Sequence, residues 1–223
     1  HRDLHSFPTR RSSDLPRLPV PEEHYRAVLD HLLPQTRAMV ELLYITGMRP
    51  GEVCRMTMAD LDRSQSPWVY TLRDHKTVAA VGARKIFLGP AAQKLLAPFR
   101  RLDKGPLFQP KDAVAARHQR DRARRQTPVQ PSQVDRTKDD PQRTPGEFYR
   151  AGELCKAVKR ACKRAGVVEW CPAQLRHNAA DRLARAHNAE VARLVLGHTK
   201  LTTTAIYLSR DEEMARQVAE EMG

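Results

Sequence analysis

The spacing of apolar residues predicts helices near the start of the organised chain. Apolar side chains recur at helical spacing across residues 22–33, and again after Pro34. Proline suits the first turn of a helix, and glycine suits the position just after a helix ends. We therefore expect a second helix from Pro34 that ends at Gly47, and a third, short helix from Pro50 through Met56.

The pattern then changes to that of strands and later returns to helices. Residues 67–73 (PWVYTLR) and 84–88 (RKIFL) are rich in β-forming types, which predicts a hairpin whose connection carries Lys76. Helical spacing returns in the remaining segments, at 91–102, 148–164, 174–187, 190–196, 202–208 and 211–221. The predicted fold class is mainly α with a small antiparallel β-sheet (α+β).

Two stretches depart from this pattern. Residues 1–15 have no periodicity, and the run SFPTRRSSDL within them resembles one reading frame of a sequencing adapter. We therefore treat them as a non-native artefact, take 16–223 as the domain, and expect that an N-terminal domain has been lost. Residues 103–150 form a basic, proline-containing insertion, which is either a solvated segment or a contact to DNA phosphates.

The charge of the chain changes the list of possible partners. With 39 Lys and Arg against 26 Asp and Glu, the 223 residues carry a formal charge of +13. Residues 1–15 contribute three arginines and two aspartates, so without them the charge is 13 − 1 = +12. Such an excess is typical of nucleic-acid binding. No apolar run approaches the roughly 18 residues of a membrane span, and four cysteines without a CxxC pair favour a reducing cytoplasm.

Three motifs in chain order carry the candidate chemistry: TGMRPGEV at 46–53, LRHNAADRL at 175–183 and LGHTKLTTTAIY at 196–207. In order and spacing they resemble the catalytic domain of the tyrosine recombinase (phage integrase) family. The resemblance implies a site-specific recombinase that cleaves and rejoins double-stranded DNA through a 3′-phosphotyrosyl intermediate. It also implies a cytoplasmic, nucleoid-associated location and self-association as a tetramer on DNA through the C-terminal helix. The apolar stripe of that helix could equally pack on its own domain.

The resemblance assigns a role to each catalytic residue. Tyr207 is the nucleophile, and Arg49 and Arg176 clamp the scissile phosphate with planar guanidinium groups. Lys76 protonates the departing 5′ oxygen; Lys85 and Arg84 lie on the same hairpin, but the HKT run around Lys76 matches the family better. His198 hydrogen-bonds a phosphate oxygen or orients the site. These catalytic residues, Tyr207 apart, are also the expected DNA contacts. No acidic cluster or His/Cys ligand set accompanies them, so we expect neither a metal nor another cofactor.

Three further positions affect the interpretation. The resemblance gives Glu52 and His177 supporting roles, whereas Ala173 stands where the family usually has a histidine three residues before the second arginine. Alanine can neither accept a proton nor bond phosphate. One alternative is therefore a catalytically impaired, recombinase-derived DNA-binding protein. Another is a topoisomerase-like DNA-relaxing enzyme, which would share the chemistry without needing multimers.

Overall fold

The structure is a computed structural model, which describes residues 18–72, 83–100, 105–131 and 144–198, together with Thr202 and Glu220. Lys76, Tyr207 and most of the two helices predicted after residue 201 lie outside these described residues.

Three helices open the described chain: α1 (Glu22–Leu29), α2 (Pro34–Thr46) and α3 (Pro50–Cys54). Helix α1 is shorter than the predicted 22–33. Pro34 disfavours helical backbone at the residue before it, and Leu33 is accordingly extended, with φ −73° and ψ 154°. Helix α2 begins and ends where the sequence predicts.

A three-stranded antiparallel sheet follows, made of β1 (Leu61–Asp62), β2 (Trp68–Leu72) and β3 (Arg84–Leu88) in the order β1-β2-β3. The two longer strands are the ones predicted, whereas β1 is too short to leave an alternating pattern in the sequence. The register pairs the first residue of β3 with the last residue of β2. That register puts the start of β3 beside the helices that carry the arginine motifs.

The rest of the described chain is helical: α4 (Pro90–Leu96), α5 (Pro110–Ala123), α6 (Ala151–Ala165), α7 (Leu175–Ala186) and α8 (Ala189–Leu196). Helix α4 ends before the predicted residue 102 because Pro98 has no N–H to donate to the preceding turn. A short 3-10 turn, Ala97–Phe99, follows it instead. The prediction of a mainly α fold with a small antiparallel sheet is confirmed.

The core forms around α2, most of whose side chains are buried, and which packs against α3, α4, α5, α7 and β3. The two ends of the 103–150 region also belong to the core, since Leu107, Phe108 and Tyr149 are buried. Helix α5 between them is largely exposed and packs mainly through Ala113. No helix among the described residues is long and apolar enough to cross a bilayer.

Candidate active site

The first motif places Arg49 at the junction of α2 and α3. Gly47 ends α2 in the left-handed conformation, with φ +64°, which an L side chain adopts at a cost. The backbone N–H of Arg49 then donates to Oε2 of Glu52 (2.7 Å), which anchors the start of α3. The Arg49 side chain is half-exposed, whereas that of its partner Glu52 is almost fully buried.

Glu52 joins this junction to the sheet. Its Oε1 accepts a hydrogen bond from Arg49 Nη1 (3.0 Å) and another from Arg84 Nη1 (2.7 Å). Its backbone carbonyl accepts from the Tyr70 hydroxyl on β2 (2.9 Å). Burial raises the pKa of the Tyr70 phenol, so the hydroxyl remains a proton donor at neutral pH. Glu52 is buried, and its carboxylate fixes two arginines from different parts of the chain.

Arg176 connects the second motif to the other two. It is the second residue of α7 and only 4 % exposed. Its Nη1 donates to the Gly47 carbonyl (2.7 Å), and its Nη2 donates to the Leu196 carbonyl (2.6 Å). Both carbonyls lie at helix C-termini, where the helix dipole favours a positive charge. The guanidinium is thereby held in one orientation by backbone atoms of α2 and α8.

His198 completes the cluster. Its Nε2 lies 2.7 Å from Arg176 Nη2, and since a guanidinium can only donate, Nε2 accepts and the neutral ring carries its proton on Nδ1. The backbone of His198 is fixed as well, because its carbonyl accepts from Arg193 Nη1 (2.9 Å). Burial, followed by the charges of Arg176, Arg49 and Arg84, lowers the pKa of His198 to about 4. The imidazole is therefore neutral at pH 7.

Two glycines allow the three motifs to approach one another. A Cβ at Gly47 would lie 2.5 Å from Cδ2 of Leu196 and 2.8 Å from Cβ of Ala179. A Cβ at Gly197, which also has a positive φ (+67°), would lie 2.5 Å from Nε of Arg84. The glycines of the TG and LG pairs thus serve close contact as well as helix termination.

The structure brings together four of the sequence-predicted site residues: Arg49, Glu52, Arg176 and His198. The fifth described one, His177, is buried on α7 next to Arg176. The predicted Lys76 and Tyr207 lie outside the described residues. Ala173 occupies the 3-10 turn Pro172–Gln174 that leads into α7, three residues before Arg176.

Sequence reasoning missed the participation of Arg84 and Tyr70. A signal for Arg84 exists in the strand itself, since residues 84, 86 and 88 share one face of β3. Ile86 and Leu88 are buried on that face, whereas Lys85 and Phe87 point to solvent. An arginine on the apolar face of a strand requires a partner, and Glu52 is that partner.

Chemically, the cluster offers several rigid cationic or hydrogen-bonding groups and a neutral imidazole around one point, as required to bind a phosphodiester and stabilise extra charge on it. Among the described residues, no group of three or more His, Cys, Asp and Glu side chains is placed to hold a metal ion.

Comparison with known proteins identifies the family. The model of the phage integrase family matches residues 20–214. Tyrosine recombinase XerC of Corynebacterium glutamicum is 32 % identical over 177 residues, which cover 76 % of this chain and 45 % of that protein. The chain therefore spans less than half the length of this curated relative.

Solved structures show the same fold at lower identity. The XerA recombinase crystal structure has a TM-score of 0.59 and 19 % identity, covering 96 % of this chain and 66 % of that one. A lambda integrase tetramer bound to a Holliday junction has a TM-score of 0.59 and 16 % identity, covering 88 % of this chain and 49 % of that one. With its fold, its motifs and the family match over residues 20–214, the chain belongs to the phage integrase family, the tyrosine recombinases.

Proposed function

We propose that this chain is a DNA strand-exchange enzyme that cleaves one strand with Tyr207 and conserves the bond as a 3′-phosphotyrosine. The observation that carries the proposal is the buried Arg176, whose guanidinium bridges the ends of α2 and α8 and contacts His198 at 2.7 Å. Burying a guanidinium is costly unless hydrogen bonds compensate it, and here those bonds join all three recombinase motifs.

In this mechanism Arg49 and Arg176 bind the non-bridging oxygens of the scissile phosphate and stabilise the charge that builds up on them. The Tyr207 oxygen forms a bond to phosphorus as the bond to the 5′ oxygen breaks. Lys76 gives its proton to that leaving oxygen, and the phenolic proton of Tyr207 passes to a water molecule as Tyr207 attacks. Attack by a 5′ hydroxyl on the phosphotyrosine reverses these bond changes and rejoins the strand.

The substrate and assembly follow from the same proposal. The charge of +13 favours a long polyanion, and double-stranded DNA on the nucleoid would supply it. The lambda integrase structure is a tetramer bound to a Holliday junction, which supports self-association of this chain during strand exchange. We propose that the helix predicted at 211–221 contributes to that association, and analytical ultracentrifugation of the full chain with and without DNA would test it.

A second candidate is a family member that binds DNA without cutting it. Ala173 favours this alternative because the turn before α7 has no side chain there that could accept a proton. In that case the cationic cluster would serve only to bind phosphates.

Covalent trapping distinguishes the two candidates. The full chain is incubated with nicked duplex DNA from the ends of its own genetic element, and denaturing electrophoresis separates any protein–DNA adduct. We expect an adduct that disappears in Tyr207→Phe. The matched control is Tyr44→Phe, which removes a hydroxyl that bonds Glu22 on α1, outside the cluster. If the wild type and both variants bind DNA and none of them forms an adduct, the proposed cleavage activity is contradicted and the second candidate is supported.

A further inference from the structure

Arg84 is a buried charged residue to which neither the motifs nor the proposed mechanism gives a role. It is the first residue of β3, and its side chain is only 10 % exposed. It lies on the apolar face of the strand, beside Ile86 and Leu88. Burial lowers the pKa of its guanidinium, although arginine stays charged at neutral pH.

The hydrogen bonds of Arg84 are incomplete. Its Nη1 donates to Glu52 Oε1 (2.7 Å), but its Nε and Nη2 are buried without a hydrogen-bond partner among the described residues. Each buried donor without a partner costs about 1–3 kcal/mol. These two donors therefore offset part of what the ion pair with Glu52 contributes to stability.

Arg84 contacts both the Glu52–Arg49 pair and the turn that carries Gly197 and His198. On one side it shares the carboxylate of Glu52 with Arg49, the half-exposed arginine of the first motif. On the other side it lies directly against Gly197, where a Cβ would come within 2.5 Å of its Nε, 3.0 Å of its Cδ and 3.2 Å of its Cζ. The next residue is His198. The guanidinium therefore fills the space between the start of α3 and the turn after α8.

The charges support the same interpretation. Arg49 and Arg84 share one carboxylate, so this trio with Glu52 has a net charge of +1. The Arg84 charge is also close enough to His198 to contribute to the lowering of its pKa. A cationic trio suits an incoming phosphate, whereas removal of Arg84 would leave Arg49 and Glu52 as a balanced ion pair.

We propose that Arg84 is a positioning residue for the phosphate site, which holds the Glu52–Arg49 pair and the Gly197–His198 turn at a fixed spacing. The inference rests on the proposed function, because the spacing matters only if Arg49 and His198 act on one phosphate. Arg84 itself is held against Glu52 and Gly197, and the proposal gives it no contact to the phosphate. Its loss should slow the chemistry while leaving DNA affinity nearly intact.

The test compares three variants. Arg84→Met removes the charge and keeps much of the volume, and Arg84→Lys keeps the charge without the planar fork. Lys85→Met is the matched control, because Lys85 is the next residue on β3 and is exposed on the opposite face. For each protein we would measure the dissociation constant for nicked duplex DNA, the rate of adduct formation at saturating DNA, and the melting temperature.

We expect Arg84→Met to form adduct about 100-fold more slowly, as for a misplacement of about 1 Å, with a dissociation constant and a melting temperature close to those of the wild type. Arg84→Lys should recover part of the rate, and Lys85→Met should keep it. A raised dissociation constant together with an unchanged rate at saturating DNA would overturn the proposal in favour of direct phosphate binding. A melting temperature that falls in step with the rate in both Arg84 variants would overturn it in favour of a purely structural role.

A readout without DNA separates this inference from the proposed function. We would titrate His198 by NMR in the DNA-free protein, where removal of the Arg84 charge should raise the pKa of His198 and Lys85→Met should not change it. If the wild type forms no adduct, the proposed function fails, but this titration still decides whether Arg84 is coupled to the His198 turn. Equal His198 pKa values in the wild type, Arg84→Met and Arg84→Lys would refute that coupling. Should Arg84→Met not fold, Arg84→Gln, which also removes the charge, replaces it in the titration, and Arg84→Lys carries the rate measurement.

Discussion

Gly47→Ala should lower both stability and catalytic rate, because Gly47 adopts a left-handed backbone conformation and also lies in close contact with two other helices. Its φ of +64° lies in the left-handed region, where an L side chain costs roughly 1–2 kcal/mol. The added Cβ would also lie 2.5 Å from Leu196 and 2.8 Å from Ala179, contacts that require displacement of packed side chains. Overpacking of this kind costs roughly 1–3 kcal/mol. The sum is a loss of about 2–5 kcal/mol in the free energy of unfolding.

Thermal or urea unfolding measures this loss. For a chain of this size each kcal/mol corresponds to about 2–4 °C, so the melting temperature should fall by about 4–20 °C. The rate of adduct formation should fall by more than the decrease in folded protein accounts for. The reason is that the Gly47 carbonyl accepts the hydrogen bond from Arg176 Nη1 (2.7 Å). A shift of that carbonyl would reorient the guanidinium, which adduct formation under folded conditions would report.

Gly51→Ala provides the matched control four residues along. Gly51 lies in α3, and a Cβ there would meet nothing within 4 Å. Alanine is the better helix former, so this variant should be as stable as the wild type or more stable by up to about 1 kcal/mol. The reasoning would be refuted by a Gly47→Ala protein within about 1 kcal/mol of the wild type, or by an equal loss in Gly51→Ala.

Two further predictions concern protons. The folded pKa of His198, about 4, lies below its ordinary 6.5, so the stability it contributes is present above pH 6.5 and is lost as the pH falls towards 4. This linkage should lower the free energy of unfolding by about 2 kcal/mol between pH 7 and pH 5, and the same urea titrations on His198→Gln should lack that part of the pH dependence. For Ala173→His we expect adduct formation to rise, by up to the roughly 10²–10⁴-fold typical of an acid–base group. Ala173→Leu controls for size, and an unchanged or lower rate in Ala173→His would contradict the prediction.

Local patterns in the sequence predicted most of the fold. Pro34 and Gly47 mark the ends of α2, and the apolar runs of β2 and β3 mark the two longer strands, because both kinds of signal act on the backbone nearby. The errors are also local: Leu33 and Pro98 shorten their helices through rules that the periodicity of apolar residues does not contain. The fold class required no information about distant contacts.

Less of the candidate site than of the fold could be predicted from the sequence. The motifs named Arg49, Arg176 and His198, but a motif does not tell how its members are held. The role of Arg84 depends on the pairing of β3 with β2 and on the approach of the α8 turn, and both are contacts between residues far apart in the chain. The alternation of β3 indicated only that this arginine faces the core, and the identity of its partner, Glu52, comes from the tertiary structure.

Arg49 and His198 each follow closely on a glycine for a structural reason. Gly47 and Gly197 each end a helix in the left-handed conformation, and Arg176 bonds a carbonyl at the end of each of those two helices. Arg49 follows the first glycine by two residues and His198 follows the second by one, so both emerge where the chain leaves a helix that Arg176 holds. The buried guanidinium of Arg176 thus fixes the distance between the two turns. Arg49 and His198, which follow those turns, are thereby held at a fixed spacing. A change at either glycine should therefore affect residues of the other motif as strongly as those of its own.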